Sequence, residues 1–266
     1  MEIALFEFVN YSADKLQPLL LTILRASGVF VLAPILSDRE VPKLVKAGLL
    51  LLLCFVTISV ADFSRLPVSS SVWSVAGMAL HEFMIGLAIG LVFRLVFYAV
   101  HTAGAMIGYQ MGFAVVTEYD ANFSDQVSTL GQLWFVVATL VFLAIDGHHL
   151  LIAAFVDSYR YLPAGAAITG GTWADLLIKH SAYVFVIALK IASPVIVTLL
   201  LVDVALGTIA RTMPSLNVFF IGIPIKVGAG LLVMALALPA ASYVLHHTIG
   251  YFDTQIRVVF RAMGGA

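Results

Sequence analysis

Six ionisable side chains stand inside apolar stretches of this chain: Arg25, Glu82, Arg94, Lys190, Asp203 and Lys226. A charge facing hydrocarbon at the centre of a bilayer costs about 3 kcal/mol or more, so each is expected to face protein or water. Asp203 and Lys226 lie at similar depths on either side of Met213-Pro214. They are expected to pair across that turn as a buried charge pair that sets helix register. The other reading is a step in an ion or proton relay. Such a relay wants several acidic groups along one path, and Glu82 and Asp203 form no clear chain of them.

Residue patterns for catalysis are incomplete. His81-Glu82 begins like H-E-x-x-H, but Ile85 stands where the second ligand belongs. His148-His149 and His246-His247 are adjacent pairs, and neighbours on a helix point in different directions. No third ligand presents itself in the sequence, so these histidines read as interfacial or packing residues, with no metal and no other cofactor. There is no G-x-S-x-G elbow and no P-loop. A non-enzyme is the expectation. The single cysteine, Cys54, reads as a small buried hydrophobe.

The elements that must position these charges are long and apolar. A helix needs roughly 20 apolar residues to span hydrocarbon. Six stretches qualify, at about 16–36, 44–63, 72–107, 127–156, 183–209 and 216–246. The third exceeds one simple span, so it is either a long helix reaching beyond the bilayer or a broken pair. The fourth is interrupted by Asp146-Gly147-His148-His149, where a turn is expected. Glu2 and Glu7 precede the first span with no positive n-region, so that span is expected to be retained rather than cleaved. With six spans, Lys and Arg divide six to four between the two sides, a weak orientation signal.

Glycines mark the third stretch. Glu82 is followed by Gly86 and Gly90, and Gly104, Gly108 and Gly112 repeat the same spacing in GAMIGYQMG. Four-residue spacing puts them on one helix face, where another backbone can approach closely. The neighbour is either this chain or another subunit. After the ladder comes FAVVTEYDANFSDQ, with Glu118, Asp120, Asn122, Phe123 and Asp125 and no basic residue. Such a segment is either a solvent loop or a lining or plug of a pore, with Gln110, Met111 and Phe113 at its entrance. Apolar constrictions close pores by dewetting or steric fit.

Composition sets the class. Hydrophobic residues make up 62% of 266 residues and charged residues 11%, and the mean hydropathy is +1.06. Soluble domains carry about 25% charged residues. The expected fold is therefore all-α and polytopic, built of helical hairpins in one domain over 1–266. A net charge of −1 with no basic cluster argues against nucleic acid.

One string is distinctive: Arg211-Thr-Met-Pro214-Ser-Leu-Asn217-Val-Phe-Phe-Ile-Gly222-Ile-Pro224-Ile-Lys226. It resembles the R-x-x-P-x-x-N-x-F-x-x-G-x-P-x-K motif of the FliR family of flagellar type III export-gate proteins, whose injectisome counterpart is SctT. Arg25-Ala-Ser-Gly28 with Pro34 and Val41-Pro42-Lys43, Glu82 with its glycines, and Asp146-Gly147-His148-His149 agree in order. The resemblance covers about 25–230, and the Asp-Gly-His-His string resembles the flagellar branch more than the injectisome one. It implies one copy in a hetero-oligomeric helical gate with FliP-like and FliQ-like subunits, beside FlhB-like and FlhA-like components, in the basal body at the bacterial inner membrane. It implies unfolded flagellar axial proteins as substrates, and a channel plug in the segment 108–126. Pro214 breaks a helix. Arg211 and Asn217 are expected to serve the carbonyls freed at that structural turn.

Overall fold

The structure is a computed structural model that describes residues 2–37, 41–60, 63, 72–113, 129–215 and 217–265, with side chains from Gln17 onward. Glu118, Asp120, Asn122, Phe123 and Asp125 lie outside the described residues, so their expected part in a plug has no geometry here.

Among the described residues there are seven helices and no strand: α1 (Glu2–Leu32), α2 (Lys43–Val60), α3 (Val72–Met111), α4 (Thr129–Ala144), α5 (Gly147–Tyr161), α6 (Trp173–Thr212) and α7 (Val218–Gly264). Each of the six apolar stretches is helical over most of its described residues. Three helices, α3, α6 and α7, are each long and apolar enough to cross a bilayer, and the broken pair α4 and α5 makes a fourth candidate span. In α1 the apolar part, Gln17–Leu32, is shorter. Among the described residues the six apolar stretches thus give three or four span-length elements, because hydropathy does not report where a helix breaks or how far it continues.

The third stretch is one unbroken helix of 40 residues. At 1.5 Å per residue that is about 60 Å, twice a hydrocarbon core. The helix α7 is longer still, with 47 residues and both Pro224 and Pro239 inside it. In water, proline inside a helix costs about 3 kcal/mol. In apolar surroundings, neighbouring hydroxyls can re-satisfy the backbone. At Pro194 the carbonyl freed is that of Lys190, four residues back, and the Ser193 hydroxyl donates to it at 3.1 Å.

The chain forms two compact units. The first holds residues 1–95, 146–180 and 249–266, and the second 96–145 and 181–248. In the first, α2 packs along α1 and touches α5. The core contains Leu21, Val29, Ile85, Ile89, Phe155 and Phe252, each under 2% exposed. Its close packing comes from glycine. A Cβ at Gly86 would fall on the Arg25 carbonyl, and one at Gly28 would lie 2.5 Å from the Phe83 carbonyl. In the second unit, Phe97 meets Phe135 and Phe142 at centroid distances of 5.5 and 5.4 Å. Gly104 lies against α4, where a Cβ would come 2.5 Å from the Leu130 carbonyl. Gly86, Gly90 and Gly104 therefore serve contacts within this chain.

Candidate functional site

The fold gathers four of the six charges into two clusters, while Arg94 bonds separately and Lys190 is exposed, 5.9 Å from the Tyr183 ring centroid. The first lies in the first unit and is wholly internal. Arg25 and Glu82 are both 0% exposed, with Arg25 Nε 2.5 Å from Glu82 Oε2 and Nη2 3.1 Å from Oε1. Arg25 also donates to Ser158 Oγ at 2.9 Å and to the Leu162 carbonyl at 3.0 Å. Its guanidinium lies 3.8 Å from the Tyr159 ring centroid. Glu82 Oε1 accepts from Gly165 N–H at 2.8 Å. The forked, planar guanidinium meets the carboxylate with two parallel bonds, the strong geometry for such a pair. Glu82, expected to serve helix packing or a subunit interface, is buried within this chain, where it ties α3 to Arg25 of α1. Its partners come from 57 and 83 residues away, and no spacing in the sequence signals either. Arg94, nearby in the same unit, donates to Ser37 Oγ at 2.6 Å and to the Leu32 carbonyl at 3.4 Å. That capping secures an end of α1 that would otherwise leave a carbonyl unsatisfied.

The second cluster stands in the second unit, at the foot of the glycine ladder. Lys226 Nζ lies 2.5 Å from Asp203 Oδ1. Gln110 Nε2 donates to Asp203 Oδ2 at 3.0 Å. Both carboxylate oxygens are thus engaged, one by α7 and one by the end of α3. The Asp203 and Lys226 side chains are 35% and 23% exposed, so the pair is partly covered rather than buried within this chain. The joining of Gln110 to it was not legible in the sequence, where 93 residues separate Gln110 from Asp203.

The end of α3 is built to stop here. Gly112 takes φ +92° and its N–H donates to the Tyr109 carbonyl at 3.0 Å. That left-handed turn favours glycine over any residue with a Cβ. Met111 is wholly buried, seated where Gly230 has no side chain. Gly108 is buried and Phe113 is exposed. Of the expected constriction, Met111 is therefore an anchor, and Phe113 is the residue that projects. Between these elements is a cleft of about 380 Å³ whose lining includes Met111, Gly112, Asp203, Phe219, Gly222 and Lys226. Its walls are apolar apart from the charged pair. The arrangement clamps the last turn of α3 to α6 and α7, immediately before the acidic segment 113–126.

The turn between α6 and α7 completes the picture. Arg211, Pro214 and Asn217 are all exposed. The carbonyls of Thr208 and Ile209 accept from the Thr212 hydroxyl at 3.3 and 3.1 Å, and Ile209 also from Met213 N–H at 2.8 Å. Asn217 enters through its backbone carbonyl, which accepts from Phe220 and Ile221 at 3.2 and 3.4 Å. Local backbone and threonine groups thus bond the carbonyls of Thr208 and Ile209 at the end of α6.

Residues 16–251, with this ordered set of glycines, buried charges and the broken α4–α5 pair, match the family of bacterial export proteins, family 1, and the chain belongs to that family. Three relatives share the name flagellar biosynthetic protein FliR. The chain is 34% identical to the flagellar biosynthetic protein FliR of Escherichia coli (strain K12) over 227 residues, 85% of each chain. It is 31% identical over 237 residues to the FliR of Pectobacterium carotovorum subsp. carotovorum, covering 88% of this chain and 87% of that one. It is 29% identical over 262 residues to the FliR of Bacillus subtilis (strain 168), 96% of this chain and 99% of that one.

Proposed function

We propose that the whole chain, residues 1–266, works as one structural and gating subunit of the flagellar type III protein-export channel in the inner membrane. The observation that carries this reading is membership of the bacterial export family over residues 16–251, with relatives at 29–34% identity named for flagellar biosynthesis. In this reading FliP-like and FliQ-like subunits cover the apolar faces of α6 and α7. Only 11% of the most apolar window of α7 is buried by the rest of the chain, which leaves that surface to lipid or other proteins. Unfolded flagellar axial proteins pass through the gate in the basal body, and FlhB-like and FlhA-like components stand beside it.

The segment 108–126 lines or plugs the channel. The Gln110–Asp203–Lys226 clamp supports this, because it fixes one end of the segment while Phe113 projects beyond it. Apolar constrictions close pores by dewetting.

A strain lacking the gene and complemented with the full chain is expected to swim and export filament protein, whereas the uncomplemented strain does neither. Complementation with a chain shortened within 113–125 is expected to give an assembled gate that leaks small ions. Normal swimming and export in the deletion strain contradict the export reading. An assembled, shortened gate with unchanged permeability contradicts the plug assignment alone.

A further inference from the structure

The junction of α4 and α5 holds a cluster that the export reading does not use. Asp146 takes a left-handed conformation, φ 56° and ψ 31°, just before α5 begins. That places its Oδ1 3.6 Å from Nδ1 of His149. The rings of His148 and His149 do not diverge; their centroids are 4.2 Å apart. One donor atom from each of Asp146, His148 and His149 lies within 4.8 Å of the other two. Zinc bonds of about 2.0–2.2 Å in a tetrahedron set ligand atoms about 3.4 Å apart. The Asp146–His149 pair already has nearly that spacing, and side-chain rotation that moves the His148 nitrogen by up to about 1.4 Å closes the other two edges. Independently, Nδ1 of His148 is shielded from solvent and has no hydrogen-bond partner among the described residues. A buried polar atom without a partner needs an explanation, and a bound ion supplies one.

We propose that Asp146, His148 and His149 bind a divalent transition-metal ion, zinc foremost. Two imidazoles and one carboxylate suit zinc, copper or nickel. Calcium and magnesium prefer an all-oxygen shell. With three protein donors the fourth position stays open to water or to a group from a neighbour. The competing account is a plain exposed ion pair between Asp146 and His149, whose side chains are 69% and 68% exposed. Such a pair is worth little and makes no use of His148.

The test uses the full chain purified in detergent with its gate companions and with no polyhistidine tag. It is equilibrated with zinc chloride, dialysed and assayed for metal, and cobalt chloride serves as a spectroscopic probe. One zinc per chain and tetrahedral cobalt bands are expected. D146N and H149Q are each expected to weaken zinc binding at least about tenfold, since even residues behind the ligands cost that much in metal sites. Both positions are exposed, and asparagine tolerates the left-handed backbone at 146. H247Q, in the other histidine pair, is expected to leave binding unchanged. Absence of stoichiometric zinc overturns the proposal, as does undiminished zinc in the H148N/H149Q double variant. Equal loss in H247Q also overturns it, by showing diffuse adsorption. The readout is bound metal, so the outcome is separate from any failure of the export reading.

Discussion

Arg25 illustrates what a charge can do when no water reaches it. All its partners are fixed groups: a carboxylate, a hydroxyl, a carbonyl and an aromatic face. Removing one side of a buried ion pair leaves the other uncompensated and costs about 3–5 kcal/mol. Arg25→Ala is therefore expected to lower the thermal unfolding temperature of the detergent-solubilised chain steeply, while Arg25→Met combined with Glu82→Leu loses less than either single change. Arg160→Ala, at a 76% exposed side chain, is the reference. An Arg25→Ala chain as stable as that reference refutes the role assigned to the network. The sequence marked Arg25 and Glu82 as misplaced charges because hydropathy makes them conspicuous. It did not pair them, since Ser158, Leu162 and Gly165 join only through tertiary packing. For Asp203 and Lys226 the shared turn at Pro214 made proximity readable, while Gln110 arrives from a different helix and left no trace in the spacing.

At the scale of helices, glycine spacing was readable and its partners were not. A four-residue repeat defines a face without naming what lies against it. That face meets α1 at Gly86 and Gly90 and α4 at Gly104. A Cβ at Gly86 would meet backbone, which cannot rotate away, so α1 and α3 must separate. Gly86→Ala is expected to destabilise the purified chain by about 1–3 kcal/mol, the usual range for overpacking. Gly48 is the contrast, because nothing lies within 4 Å of a Cβ added there. Gly48→Ala is expected to be stabilising by up to about 1 kcal/mol through helix propensity. Thermal scans of the two variants should shift in opposite directions, and equal shifts refute the packing assignment. The Asp146 turn was readable from Asp-Gly alone. The length of α3 was not, because hydropathy is blind to whether a long apolar stretch bends.

For the molecule as a whole, the extent of uncovered apolar surface is the dominant fact. Leu200, Leu201, Val204, Phe219, Phe220 and Leu236 are all 50% exposed or more. Isolation as a lone monomer is therefore not the expected behaviour in mild detergent. The chain is expected to co-purify with FliP-like and FliQ-like companions, scored by size and by protein content of the peak. A stable monomer running without them contradicts the gate reading.

The hydroxyls on those uncovered helices have a further consequence. Ser59, Ser193, Thr198, Thr208 and Ser242 each donate to a carbonyl of their own helix, three or four residues back. Their donors are already spent, so these faces make few directional demands on whatever touches them. Exchanging lipid tails for a neighbouring protein then breaks few hydrogen bonds and gains little from hydrophobicity, since both media are apolar. What remains to choose a neighbour is contour and close contact. Order of assembly would then follow from relief, as stones settle in a dry wall, rather than from a code of matching charges.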